Sequence, residues 1–79
     1  METKAFIEYL VGLIIDEGTK VEVIETEEEG VRVYRIIVPI EQTGRIIGKG
    51  GKVVNALRTL IRLKAIKNQE RVLIKIGND

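Results

Sequence analysis

Three glycines and two lysines stand together in the segment Gly48-Lys49-Gly50-Gly51-Lys52. Glycine lets a ligand approach the backbone closely because it has no Cβ, and lysine supplies positive charge. A helix predicted over Lys52–Lys67 would direct its free N–H groups and the positive end of its dipole at the same turn. Residues of these types at this spacing therefore predict a site that binds an anion such as a phosphodiester.

Other glycine-rich motifs fit this segment less well. A P-loop has four residues between its first glycine and its Gly-Lys pair, and a Ser or Thr after the lysine. Here three residues separate Gly44 from Gly48, and Lys49 is followed by Gly50. A dinucleotide-binding motif needs glycine where Val53 stands. The Gly44-xxx-Gly48 pair resembles a membrane helix-packing motif, but no spanning segment surrounds it. A purely structural turn between two helices remains an alternative.

The residue inventory argues against catalysis. Cys, His, Ser and Trp are all absent, which removes disulfides, thiolate and imidazole metal ligands, the commonest general base and the serine nucleophile. Nine of the twelve carboxylates precede residue 31. We therefore expect a protein that is not an enzyme and that has no cofactor and no metal.

Length and hydropathy predict one cytoplasmic domain. The 79 residues are enough for one domain, covering 1–79. The longest apolar run, Tyr9–Ile15, has seven residues, far fewer than the roughly 20 needed to cross a bilayer. The first residues lack the features of a secretory signal. We expect no membrane association.

Charge is divided unequally along the chain, although the net charge is only +1. Residues 1–30 contain two basic and nine acidic residues, and residues 31–79 contain eleven basic and three acidic ones. Between Gly44 and Lys67 there are seven basic residues and no acidic one. This asymmetry favours a polyanionic partner for one face, and a solvated basic helix is the alternative.

Hydrophobic periodicity predicts the order α-β-β-α-α-β, with three helices packed on one face of a three-stranded mixed sheet. The first helix is expected from an N-cap at Thr3 to about Asp16, with Gly18 as the C-terminal glycine. Its predicted buried stripe is Phe6, Leu10, Leu13 and Ile14, widened by Ile7 and Val11.

The remaining elements follow from turn signals and alternation. Strands are expected over Lys20–Thr26, Val31–Val38 and Arg71–Ile76, with Glu27–Gly30 as a charged turn. A short helix capped by Thr43 should end at Ile47. The long helix Lys52–Lys67 should bury Val53, Leu57, Leu60, Ile61 and Val54.

The stretch Ile46-Ile47-Gly48-Lys49-Gly50-Gly51-Lys52-Val53-Val54 resembles the (I/V)-I-G-x-x-G-x-x-(I/V) signature of the KH domain. Two strands before the motif and one after it resemble the type II, prokaryotic arrangement. The whole chain is similar to the small stand-alone bacterial KH proteins of the KhpA kind, through Phe6–Leu10, Pro39–Lys49 and Ala56–Thr59. The departure is Ile40, an additional residue at the entry to the short helix.

This resemblance implies a non-catalytic clamp in which the GxxG loop holds the backbone of single-stranded RNA and the adjacent groove holds about four bases. It implies the following RNA-binding residues: Gly48, Lys49, Gly50 and Gly51 on the backbone; Arg45, Lys52 and Arg58 as basic auxiliaries; Ile47 and Val54, with Ile46 and Val53, as loop support and groove floor. The opposite wall is expected from the last strand or its neighbour, through Arg35, Val38 or residues 71–75.

One four-nucleotide site should bind weakly, so useful affinity needs a second site. The resemblance implies a homodimer or a second, larger KH-containing RNA-binding protein as partner, and a role as RNA chaperone or post-transcriptional regulator. The alternative function is a protein–protein adaptor or ribosome-associated factor in which the loop is only structural.

Overall fold

The computed structural model describes residues 2–77 and confirms the predicted order α-β-β-α-α-β. A single 3₁₀ turn, Lys49–Gly51, separates the second and third helices. The elements are α1 (Thr3–Ile14), β1 (Glu22–Glu28), β2 (Val31–Ile37), α2 (Ile40–Ile47), α3 (Lys52–Lys67) and β3 (Val72–Ile76).

The sheet has the order β1-β2-β3, with β1 antiparallel and β3 parallel to the central strand β2. It is therefore mixed, as predicted. The predicted turn Glu27–Gly30 is too long, because Glu27 and Glu28 pair with Arg32 and Val31. Only Glu29 and Gly30 form the connection, and both have positive φ (52° and 81°), as a two-residue hairpin turn requires.

Helix α1 packs on the sheet through Ile7, Val11 and Ile15, which follow one another at intervals of four. The predicted stripe was centred wrongly: Leu13 is 66% exposed. The apolar residues of α1 are numerous enough to form more than one apolar face. The face that becomes buried is the one whose side chains pack against Val23 and Ile36 of the sheet. Gly18 has φ +83° but lies in the following turn, because α1 already ends at Ile14.

The start of α1 is held by a partly buried polar network rather than by a threonine cap. Thr3 lies inside the first turn and is buried, and its hydroxyl donates to Glu70 Oε1 at 2.6 Å. Arg32 forms an ion pair with Glu25 and lies 3.8 Å from Glu70. Buried Tyr34 contacts the Thr3 hydroxyl, and burial, with the carboxylates of Glu25 and Glu70, raises its pKa above the ordinary 10.0. Tyr34 is therefore a packing residue.

Helix α2 starts at Ile40, directly after Pro39, and not at Thr43 as predicted. Proline has no N–H to lose at a helix entry, so the chain can begin helix there without a side-chain cap.

Helix α3 has the predicted bounds, and its buried residues are Val54, Leu57, Ile61 and Ala65. Leu60 was expected in this stripe but is 44% exposed, because it lies on the side facing α1 rather than the sheet. In the described part of the chain no helix combines the length and apolarity needed to span a membrane.

Candidate nucleic-acid interface

The turn between α2 and α3 reverses the chain within four residues. The Gly48 N–H donates to the Gly44 carbonyl at 2.8 Å and ends α2, and the Gly51 N–H donates to the Gly48 carbonyl at 3.1 Å. Gly48, Gly50 and Gly51 all have positive φ, at 74°, 64° and 77°. Three positive φ angles within four residues explain the glycine content of the segment, since residues with a side chain rarely adopt this backbone conformation.

Gly48 is required for a second reason, which is packing. A Cβ at this position would lie 2.4 Å from Cγ2 of Val53 and 2.9 Å from its backbone nitrogen. The end of α2 and the start of α3 therefore approach each other more closely than any side chain allows. By contrast, a Cβ at Gly50 would meet nothing within 4 Å, so the tip of the turn is open to a ligand.

The first turn of α3 favours an anion. Its N-cap is Gly51, no side chain caps it, and its first turn contains no acidic residue. The Lys52 N–H already donates to the Lys49 carbonyl, but neither a side-chain cap nor an acidic residue of this turn offsets the positive end of the helix dipole. Lys49 and Lys52 are both exposed on either side of this point. The structure thus brings the predicted loop residues and these two lysines together.

An apolar groove of about 500 Å³ opens beside the turn. One wall is α2, whose residues at i, i+3 and i+7 face it, ending at the half-exposed Ile47 directly before Gly48. The other wall comes from the ends of β2 and β3, which lie side by side because these strands are parallel. The lining residues are Ile37, Val38, Ile40, Thr43, Ile47, Ile76 and Gly77.

The sequence left three possibilities open for the wall opposite the loop: Arg35, Val38 or residues 71–75. Val38 lines the groove, whereas Arg35 lies on the sheet face away from the helices, level with Lys75, and donates from Nη1 to the Gly77 carbonyl at 3.2 Å. Residues 71–75 do not line the groove. Five of the lining residues were not assigned to a groove from the sequence: Ile37, Ile40, Thr43, Ile76 and Gly77. Pairing β2 with β3 in parallel was the step that would have found the last two.

The remaining predicted residues fall in three environments. Val54 is buried in the first turn of α3. Arg58 is half-buried on the side of α3 away from α1. Arg45 lies on the side of α2 opposite the groove, where its Nη1 is 2.7 Å from Asp16 Oδ1. The structure therefore does not bring Arg45 together with the groove residues.

A second apolar surface lies between α1 and α3 and is here called the helix trough. It has a volume of about 320 Å³ and an almost entirely apolar lining. Leu13 and Leu60, the two residues wrongly predicted to be buried, belong to it. Its lining residues are Leu10, Leu13, Ile14, Lys52, Val53, Ala56, Leu57 and Leu60.

The α-β-β-α-α-β order, the mixed sheet and the Gly-x-x-Gly turn between α2 and α3 define a KH domain of type II topology. The sequence model of the KhpA/KhpB KH domain matches residues 4–76, and the chain belongs to this family. The family is not one of enzymes, in agreement with the predicted absence of catalytic activity.

Curated relatives share about a third of their residues with this chain. It is 32% identical over 73 residues to "RNA-binding protein KhpA" of Oceanobacillus iheyensis, covering 92% of this chain and 97% of the relative. The protein of the same name from Treponema pallidum is 33% identical, covering 89% and 88%. That from Thermotoga maritima is 36% identical, covering 73% and 77%. No solved structure matches the chain significantly.

The close approach of Gly48 to Val53 predicts unequal costs for two alanine substitutions in the turn. Gly48→Ala combines positive φ with a steric clash and should lower the free energy of unfolding by about 2–4 kcal/mol. Gly50→Ala has the same backbone strain but open space, and should cost only about 1 kcal/mol. Urea unfolding followed by circular dichroism measures both. Equal costs would contradict a packing role for Gly48.

Proposed function

We propose that this protein binds single-stranded RNA, with the sugar-phosphate backbone on the glycine turn and about four bases in the groove. The observation that carries the proposal is the uncapped N-terminus of α3, flanked by Lys49 and Lys52, directly beside an apolar groove. The helix N-terminus and its lysines suit a phosphate group, and the apolar groove suits unpaired bases. The relatives named as RNA-binding proteins support the same polymer.

The turn supplies attraction that does not depend on sequence. Phosphate oxygens can accept hydrogen bonds from backbone N–H groups at the start of α3, while Lys49 and Lys52 provide mobile charge. Arg58, on the far side of α3, extends the positive surface along the helix. Because these contacts release counterions, the affinity should fall as salt rises.

The groove accounts for a preference for single strands. Its lining is aliphatic, with Thr43 as the only side-chain hydroxyl and without an aromatic ring among the residues described. Bases would have to unstack to enter it, which paired bases in a duplex resist. Base selection then depends on the shape of the aliphatic walls and on Thr43, rather than on stacking between aromatic rings.

The biological role that follows is non-catalytic: an RNA chaperone or post-transcriptional regulator acting in the cytoplasm on exposed single-stranded tracts. A single site of this size binds weakly, so we also propose that a second KH domain contributes to the affinity. The family description, which joins KhpA with KhpB, is consistent with a larger partner. A second copy of this chain would also provide a second binding site and raise the affinity in the same way.

The adaptor function is a second candidate because one observation favours protein association. The helix trough exposes Leu13 and Leu60 between α1 and α3. Lys4 and Glu8 lie on α1 and Glu17 follows it, whereas α3 contains five basic residues and no acidic one. In a two-fold pair, Glu8 and Glu17 of one copy would face the basic α3 of the other. We propose a second copy of this chain as the occupant.

Reversing charge at the turn should abolish RNA binding without unfolding the protein. In Lys49→Asp/Gly50→Asp, aspartate tolerates the positive φ of Gly50, and both carboxylates repel phosphate. We expect at least about a tenfold loss of affinity for a labelled pool of single-stranded RNA, measured by fluorescence anisotropy at low salt.

The matched control is Lys67→Asp/Gln69→Asp, which makes the same change in charge beyond the other end of α3, with the new aspartate again at a positive φ (60° at Gln69). This control should bind nearly as well as wild type. Equal losses in the two variants would indicate non-specific charge attraction, and a wild type that binds no RNA at low salt would exclude the proposed function.

The groove predicts an effect of a surface isoleucine. Ile40 lines the groove yet is 89% exposed, so Ile40→Asn should leave stability within about 0.5 kcal/mol of wild type. Its loss of apolar contact should lower RNA affinity about three- to tenfold. Ile66→Asn, at a 71% exposed isoleucine near the C-terminus of α3, is the control and should bind normally. Normal binding by Ile40→Asn would place the bases elsewhere.

The helix trough predicts concentration-dependent self-association. Leu13→Glu puts a charge into the trough and should shift the sedimentation equilibrium of the chain toward monomer. Leu73→Glu, at an exposed leucine on the open face of the sheet, is the control and should associate like wild type. A wild-type chain that stays monomeric over the accessible concentrations would contradict the second copy and leave the trough to a larger partner.

A further inference from the structure

Arg45 is the one basic residue between Gly44 and Lys67 that has an acidic partner among the residues described. Its guanidinium is 2.7 Å from Asp16 Oδ1, although both side chains are more than half exposed. Exposed ion pairs are usually weak and transient. This one has an unusual feature, because the aspartate is held in place from another direction.

Gln42 holds Asp16 through two hydrogen bonds. The Gln42 side-chain amide donates from Nε2 to Asp16 Oδ2 at 2.9 Å, and its Oε1 accepts from the Asp16 backbone N–H at 3.3 Å. Gln42 is only 9% exposed, so it is packed between α1 and α2. The carboxylate is therefore pre-oriented: one oxygen is fixed by Gln42, and the other is presented to Arg45.

The position of Arg45 gives this arrangement a consequence for RNA. Arg45 lies in the last turn of α2, three residues before Gly48 and four residues before Lys49. It is on the α1 side of the loop, away from the groove that we propose for the bases. An arginine free at this position would attract phosphates that continue past the loop on that side.

We propose that Asp16 neutralises Arg45 and so confines the RNA backbone to the groove and α3 side of the turn. Asp16 acts through Arg45 and is a specificity-determining residue that sets how many phosphates the domain contacts. RNA phosphate and the Asp16 carboxylate compete for the same guanidinium. This inference rests on the proposed RNA-binding function.

Asp16→Asn tests the competition with little structural change, because the asparagine oxygen can still accept from Gln42. We expect affinity for an octanucleotide to rise about two- to fivefold, the range expected for releasing one exposed ion pair. The salt dependence should steepen by about 0.7 in the slope of log K against log salt, which corresponds to one additional phosphate contact. A tetranucleotide, which fills only the groove, should show less gain.

Glu41→Gln is the matched control, since it removes the same charge from an exposed residue one turn before Arg45 on α2 that forms no ion pair with Arg45. Screening by salt should limit its effect to about 1.5-fold, with an unchanged slope. The double variant Asp16→Asn/Arg45→Gln completes a double-mutant cycle. Without Arg45, the substitution of Asp16 should raise neither the RNA affinity nor the slope of its salt dependence.

The outcomes separate this inference from the function on which it rests. If wild type binds RNA but Asp16→Asn behaves like Glu41→Gln, the effect of Asp16 is only general repulsion and the inference is wrong. If Asp16→Asn lowers the melting temperature and weakens binding, Asp16 has a structural role and the inference is again wrong. If wild type binds no RNA, the proposed function fails first and this inference fails with it.

Discussion

The contact between Gly48 and the first turn of α3 is the constraint on which the candidate site depends. No side chain fits where Gly48 meets Val53, so α2 can end and α3 can begin within four residues. This short reversal directs the start of α3 toward solvent beside the end of α2. It also leaves Ile47 at the edge of the apolar groove. The glycine turn and the groove are therefore two results of one close approach.

The sheet contributes the other half of the groove through the parallel pairing of β2 with β3. Parallel strands bring equivalent ends together, so Val38 and Ile76 meet at the edge that faces α2. An antiparallel β3 would have placed Arg71 there and changed an aliphatic wall into a charged one. The topology of the fold thus selects the chemistry of the wall, although the wall residues are distant in sequence.

Local patterns predicted what depends on local structure. The bounds of α3 follow from periodicity and from the glycines that precede it, and the loop residues follow from glycine and lysine spacing. The sequence did not identify the buried face of α1, because Leu13 and Val11 are equally apolar and only the sheet distinguishes them. It also missed the partner of Arg45, since Asp16 lies 29 positions earlier and no periodicity links them. The wrong predictions at Leu13 and Leu60 have one origin. Both residues line the helix trough, whose apolar side chains stay exposed instead of packing in the core of the domain.

The division of charge explains why so small a net charge is compatible with a polyanionic ligand. With a net charge of +1 the protein as a whole attracts RNA weakly at long range. The acidic residues are concentrated on β1 and around α1, and the basic ones on α3, so attraction is local and directional. In the proposed binding mode, the acidic half would repel an RNA backbone from one side and the turn would accept it on the other. Such binding would depend on a few contacts at one end of α3, and a site of this kind gains more from a second domain than from added charge.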